Sequence, residues 1–265
     1  MAFFSPDKPV PYIGGVYGSR LDFACYAGCG VPNYAIFSLD PCLTHPRFRI
    51  GPSGEKIDNI TDWALNKFTK HYGKAAQITK DDIFAYVYAV LHDPVYRETY
   101  ANNLKREFPR IPFYPEFHQW RDWGQTLLDL HIGYETVEPW PLTRVDTPDE
   151  RASKAGLSPK VALKADKEAG TITLDSETTL SGIPEECWDY KLGNRSGLEW
   201  ILDQYKEKTP RDPTIREKFN TYRFADYKEE VVDLIQRVTR VSVETMRITD
   251  AMSKANGEVT QRTPE

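Results

Sequence analysis

Cysteine is scarce in this 265-residue chain. The four present, Cys25, Cys29, Cys42 and Cys187, are too few to form a disulfide framework at this size, which fits a reducing compartment. Long apolar runs are missing as well, and no stretch approaches the ~18 residues that would span a bilayer. The first residues, Met1-Ala2-Phe3-Phe4 and then Ser5-Pro6-Asp7-Lys8-Pro9, are too short and too soon broken for a signal peptide. A cytoplasmic location is therefore the default expectation. Positive charge is not in excess either: 34 Lys and Arg stand against 39 Asp and Glu, for a net charge of −5. That balance argues against a protein that coats nucleic acid by bulk charge, although it leaves room for a local basic face.

Catalytic signatures are equally thin. A P-loop needs Gly-x-x-x-x-Gly-Lys followed by Ser or Thr, so that backbone amides, Lys and hydroxyl converge on phosphates and metal. Gly51-Pro-Ser-Gly54-Glu-Lys56 only echoes it: the glycine spacing is wrong, and Ile57 cannot hold a metal. No Gly-x-Gly-x-x-Gly turn follows a strand, and Gly28-Cys29-Gly30 is too short a match for a dinucleotide or adenosyl cofactor site. No Gly-x-Ser-x-Gly elbow and no His-Glu-x-x-His helix occur. Asp40-Pro41-Cys42-Leu43 fails the adenine-methyltransferase pattern at its last two positions. No catalytic residue and no cofactor are expected.

What is present is the composition of an ordinary folded domain, with 40% apolar and 28% charged residues. Fifteen Tyr and six Trp supply large anchors. Residues 1–58 are rich in Gly and Pro with short aromatic runs such as Tyr34-Ala35-Ile36-Phe37, which read as short strands and loops. Helices follow. Ile60, Ala64 and Phe68 share a face within 59–72, and Thr79 caps a second helix through Leu91 that is apolar on most sides and so buried. Asp93 caps the next helix with Pro94 at its first position. A fourth helix, over 116–132, carries Trp120, Leu127, Leu128 and His131.

Apolar periodicity disappears over 135–160, the best linker or long-loop candidate. Val161-Ala-Leu-Lys and Thr171-Ile-Thr-Leu then alternate around Glu168-Ala169-Gly170, a hairpin signature. Helices are expected again over 184–190, 196–206 and 225–252, with a frayed polar tail at 253–265. The fold class is α+β: a helix-dominant domain with a small antiparallel sheet or hairpin, and an N-terminal region of short strands over 1–58.

Several residues need weighing for chemistry. Cys25-x3-Cys29-x12-Cys42-x2-His45 offers three thiols and an imidazole that could close on zinc. The paired C-x2-C spacing is absent, however, and small buried thiols on short strands explain the set as well. No metal is therefore assigned. His92-Asp93 and His131 read as structural, and Glu135 and Glu138 as solvated charges. Arg110 and Arg195 each serve either an internal carboxylate or an external phosphate or base.

One long block identifies a family. Ile83-Phe84-Ala85-Tyr86-Val87-Tyr88-Ala89-Val90-Leu91-His92-Asp93-Pro94-Val95-Tyr96-Arg97 resembles the signature of the C-terminal specificity domain of type ISP restriction–modification enzymes. The stretch from Tyr100 through Leu104-Lys105-Arg106-Glu107-Phe108-Pro109-Arg110 to Phe113 is similar to the same family. So are Leu130-His131 with Tyr134-Glu135, Lys191-Leu-Gly-Asn-Arg-Ser-Gly-Leu-Glu-Trp200, and Arg237-Val-Thr-Arg-Val-Ser-Val-Glu-Thr245. The likeness runs in order over 59–252. One departure is the loop after the Trp200 helix, reduced here to Pro210-Arg211-Asp212-Pro213-Thr214.

In that family one long polypeptide carries a nuclease, a helicase-like translocase and an N6-adenine methyltransferase, and this domain comes last and reads an asymmetric DNA site. The resemblance therefore implies sequence-specific recognition of double-stranded DNA, with a type ISP translocase–methyltransferase polypeptide as partner and no membrane association. The alternative is a protein–protein docking module, anchored by residues such as Trp120, Trp123 and Trp140, that does not touch DNA. Candidate DNA-binding residues are Arg97, Lys105, Arg106 and Arg110 around the Pro-rich break, and Lys191, Asn194 and Arg195 at the Gly193 turn. Each is set against a salt bridge to a neighbour such as Glu98, Glu107 or Glu199.

Overall fold

A computed structural model describes residues 10–16, 23–32, 42–218 and 221–262. The aromatic run at Tyr34-Ala35-Ile36-Phe37, expected as a strand, lies outside these residues. The chain divides into two compact units, the first of Met1–Tyr134, Leu192–Asn194 and Arg247–Glu265, the second of Glu135–Lys191 and Arg195–Met246. Residues 1–58, expected as a region of their own, thus fall in one unit with 59–134. The fold class is α+β and helix-dominant, with small antiparallel sheets.

In the first unit, β1 (Pro11–Val16), β2 (Ala24–Cys29) and β3 (Leu43–Pro46) form an antiparallel sheet in the order β2-β1-β3. A ribbon of β4 (Phe48–Ile50) and β5 (Lys56–Asp58) follows. Arg47, only 6% exposed, sits between the two. It donates to Asp58 at 2.7 Å and to Asp81 at 2.6 Å, so the strand region is tied to the helices by a buried guanidinium that two solvent-exposed carboxylates hold.

Helix α1 (Asp62–Tyr72) starts at Thr61, whose hydroxyl accepts the Ala64 N–H. Helix α2 (Lys80–His92) opens with a capping box: the Thr79 hydroxyl accepts the Asp82 N–H and the Asp82 carboxylate accepts the Thr79 N–H. Its all-round apolar sequence is buried as expected, with Tyr86, Tyr88, Ala89 and Val90 fully enclosed. Asp93 ends α2 and caps α3 (Pro94–Thr99), and α4 (Ala101–Leu104) follows. Helix α5 (Phe117–Ile132) packs against α2 so closely at Gly124 that a Cβ there would lie 1.8 Å from the Ala85 carbonyl oxygen.

The second unit is built on a sheet rather than a lone hairpin. Strands β6 (Thr143–Asp146), β7 (Val161–Asp166), β8 (Thr171–Asp175) and β9 (Thr178–Ser181) lie in the order β6-β9-β8-β7, all antiparallel, and α6 (Glu150–Ala155) falls between β6 and β7. The stretch over 135–160, the linker or long-loop candidate, therefore holds a strand and a short helix. The expected β7–β8 hairpin is present, its turn relaxed by Gly170 at φ +61°. The helix expected over 184–190 is a single 3-10 turn, Glu185–Trp188.

The short strands β10 (Lys191–Leu192) and β11 (Arg195–Ser196) flank Gly193, and α7 (Gly197–Gln204) starts on a capping box of Ser196 and Glu199. After α8 (Pro213–Lys218) comes α9 (Lys228–Arg262). Leu163, Ile172, Leu174, Leu180, Leu198, Val231 and Ile235 form the core of this unit.

Helix α9 runs beyond the expected end at Met252. Asn256, 7% exposed, has a buried partner: its amide donates to Asp93 at 2.5 Å. A polar residue reads as solvent-facing in sequence, but a bonded one extends a helix as effectively as an apolar one.

Gly124→Ala should lower stability by about 2 kcal/mol, because the overpacking of two backbones outweighs the ~1 kcal/mol that alanine adds to helix propensity. Urea unfolding measures it. A variant as stable as wild type would show that α2 and α5 separate without cost.

Candidate functional site

The Pro-rich segment after α4 has few backbone donors and no regular structure, so its carbonyls need partners from elsewhere. Tyrosine hydroxyls supply them. Tyr96 donates to the Arg110 carbonyl at 3.0 Å, Tyr86 to that of Pro112 at 2.8 Å, and Tyr72 to that of Tyr114 at 2.6 Å. The Tyr86 oxygen also accepts the Tyr114 N–H at 2.7 Å. Tyr114 in turn donates to Asp93 at 2.9 Å. The result is an extended segment held on rigid helices, beside a 320 Å³ hollow lined by Tyr96, Tyr100, Phe108 and Arg110 among others.

Three of the expected cations stand on or next to this platform. Lys105 and Arg106 are exposed. Arg110 is 86% exposed and pairs with Glu107 at 2.8 Å, a surface contact worth little and easily exchanged for another anion. Arg97 does not join them. Its Nε donates to the Leu91 carbonyl at 2.6 Å and its guanidinium lies 5.4 Å from the Phe23 ring centre, so it is half-buried and braces the end of α2.

At the Gly193 turn, where φ is +70°, Lys191 and Asn194 are exposed. Arg195 is engaged: it pairs with Asp203 at 3.0 Å and lies 5.3 Å from the Trp200 ring centre. Its partner is thus Asp203 rather than the Glu199 weighed from sequence, since Glu199 is occupied by the cap of α7 and by Lys167 at 2.6 Å.

The other constellations resolve into structure. Cys25 and Cys29 lie on one strand opposite Gly15 and Pro11, so four residues of β-strand, ~13 Å, separate them. His45 sits opposite Ile13 on the far side of β1. Among the described residues no group of three His, Cys, Asp or Glu is gathered for a metal. His92 bonds the Tyr88 carbonyl through Nδ1 at 2.9 Å, and His131 Nδ1 bonds the Tyr88 hydroxyl at 2.6 Å. Burial drives both imidazoles toward the neutral form, well below the ordinary value for His92 and down to about 3 for His131, with Arg97 pushing the same way. Trp120 is buried, with Trp123 edge-on to it, and Trp140 lies under Arg240. None of the three is a free anchor for a partner.

Sequence reasoning missed one feature of the second unit. Lys160, Lys206 and Arg223, far apart in the chain, line a single 640 Å³ groove. No local pattern could have placed them together.

With this geometry in place, the family follows. The chain belongs to the Type ISP C-terminal specificity domain family, whose model matches residues 5–234. Among solved structures it is 49% identical to a chain of the DrdV–DNA complex determined by cryoEM, over 91% of this chain and 24% of that one, with a TM-score of 0.82. It is 26% identical to a nuclease-deletion mutant of the Type ISP restriction–modification enzyme LlaGI in complex with a DNA substrate mimic, over 93% and 21% of the two chains, at a TM-score of 0.69. It shares its fold with the ATP-dependent Type ISP restriction–modification enzyme LlaBIII bound to DNA, at 22% identity over 92% and 16% and a TM-score of 0.69. The chain spans about a quarter or less of the length of these proteins. The curated proteins give no match. Among the described residues no helix is long and apolar enough to cross a membrane.

The buried imidazoles make a pH prediction. Their folded pKa values lie below the unfolded value of 6.5, so the unfolded chain binds the extra protons. Stability is full above that value and is lost as pH falls through it, with the loss continuing toward about 3 for His131. Urea titrations between pH 5 and 7 should show stability falling on acidification, with a shallower slope in His131→Gln. An unchanged slope in the variant would remove His131 from the account.

Proposed function

We propose that this chain is a target-recognition domain that reads a sequence in double-stranded DNA and has no catalytic centre of its own. The observation that carries this reading is the 49% identity, over 91% of the chain, to a protein whose structure is a DNA complex. The site agrees in chemistry. Lys105, Arg106 and Arg110 stand on or beside a segment whose backbone is pinned by tyrosine hydroxyls, and Lys191 and Asn194 are exposed at their turn. Phosphate contacts fix register, whereas a bidentate Arg, Asn or Gln on a base edge adds about 1–3 kcal/mol of discrimination.

These 265 residues hold no P-loop, no adenine-methyltransferase motif and no hydrolase elbow, so in this reading cleavage, translocation and methylation lie outside them. A type ISP translocase–methyltransferase polypeptide fits that role, as the larger proteins this chain resembles span about four times its length or more. With a net charge of −5, the chain alone binds DNA weakly, and such a partner shares the affinity.

Selection from a random duplex library at graded salt, with and without the translocase–methyltransferase polypeptide, is expected to enrich one asymmetric site. Arg110→Ala should relax the preference at one base pair, and the double variant of Lys105→Ala and Arg106→Ala should weaken binding across sequences. Absence of enrichment in both arms would refute the reading.

A further inference from the structure

The groove of the second unit stands out electrostatically. Residues 206–223 carry six cations against three carboxylates, in a chain whose net charge is −5. Two of those carboxylates serve the backbone: Glu207 accepts the Phe224 N–H at 2.9 Å and Asp212 accepts the Ile215 N–H at 3.0 Å. Lys160, from the segment before β7, faces the same groove as Lys206 and Arg223. Lys206 reaches Asp203 only at 3.5 Å, a loose surface pair. Lys208 and Arg211 follow in the chain and are exposed, with no ion-pair partner among the described residues.

Several arginines elsewhere in the chain are matched instead. Arg47, Arg121, Arg144, Arg195 and Arg237 each hold a carboxylate within 3.0 Å.

The groove is also preformed. The Lys160 N–H donates to the Ser176 hydroxyl at 3.0 Å and its carbonyl accepts the Ser176 N–H at 2.9 Å, which fixes one wall. On the other, the Tyr222 hydroxyl donates to the Tyr205 carbonyl at 2.9 Å and its ring stacks on Tyr227 at 5.5 Å. Cations on fixed backbone, exposed and in excess of carboxylates, suit a polyanion whose charges recur along a rigid rod.

We infer that this groove, through Lys160 and Lys206 on its lining and the exposed Lys208 and Arg211 that follow Lys206 in the chain, grips the phosphate backbone of the duplex and contributes affinity without reading bases. The inference rests on the DNA-recognition reading and adds to it a positioning surface that lies outside the blocks carrying the family resemblance.

The test compares two fourfold variants of the full chain. One carries Lys160→Gln, Lys206→Gln, Lys208→Gln and Arg211→Gln. The other removes as much charge elsewhere, through Lys56→Gln, Lys67→Gln, Lys70→Gln and Lys74→Gln. Binding to a labelled random-sequence duplex is titrated at several salt concentrations, and preference is measured on the sequence enriched by selection.

The groove variant should bind at least about tenfold more weakly at low salt. Its plot of log affinity against log salt should flatten by about 0.9 for each phosphate that the variant no longer neutralises, with the preferred sequence unchanged. The control variant should keep the wild-type slope. Equal flattening in both variants, or none in the groove variant, overturns the groove assignment while leaving sequence recognition intact. A wild-type chain without sequence preference, alone or with its partner polypeptide, instead overturns the recognition reading, and the inference falls with it.

Discussion

The first unit depends on one carboxylate. Asp93 is fully buried, and among the described residues no cation pairs with it. Removing a charge from water costs several kcal/mol, and here donors rather than a counter-ion offset that cost. The Val95 N–H, the Tyr114 hydroxyl and the Asn256 amide all point at it. Burial still wins the balance, pushing its pKa upward against those hydrogen bonds. Each donor arrives from a different part of the chain. Val95 opens α3, Tyr114 ends the Pro-rich segment and Asn256 lies near the end of α9. An Asp at a helix cap is ordinary local chemistry. Here the second carboxylate oxygen makes the same residue the junction of segments 163 positions apart.

The tyrosines extend that junction outward. Tyr114 is bonded to Asp93 through its side chain and to Tyr86 and Tyr72 through its backbone, so the proline segment is fixed at both its polar edges. Proline makes the segment incapable of pairing in a sheet, and tyrosine makes it rigid all the same. This explains why the family block from Ile83 to Arg97 is so rich in Tyr: the hydroxyls of Tyr86 and Tyr96 serve as the segment's missing donors. The equivalent device in the second unit uses arginine. From α9, Arg237 bonds the Val137 carbonyl and Arg240 bonds that of Glu138 at 3.3 Å, holding the strand-poor stretch before β6. Both arginines also meet side chains of their own unit, Arg237 at Asp233 and Arg240 over Trp140.

How much of this was legible follows from the range of each interaction. Caps at Thr79, Asp93 and Ser196 need partners two or three residues away, so their residue types signal them. The β7–β8 hairpin is likewise local. Strand β6 was not legible because all four of its residues are exposed, and pairing with β9 makes it a strand where no apolar alternation exists. The extension of α9 hid behind Asn256, whose partner is Asp93. The candidate cations divide in the same way. Glu107 is three residues from Arg110 and was visible as its partner, whereas the Leu91 carbonyl that holds Arg97 cannot be seen in any charge pattern. Family resemblance pointed to the segments proposed as the site, and several of the residues it favoured there build the segments themselves.

Net charge misleads for a related reason. At physiological ionic strength the Debye length is about 8 Å, so a duplex meets local charge rather than the sum over the chain. Many of the carboxylates are already committed: Asp58 to Arg47 and Lys80, Asp175 to Lys228, Asp203 to Arg195 and Lys206. A carboxylate that holds a cation close by contributes a dipole, whose field falls off faster than that of a lone charge. What an approaching phosphate meets is the remainder, and the remainder is positive where cations exceed their partners. A total of −5 therefore limits how strongly the chain as a whole attracts polyanions, and it does not fix where local positive charge lies.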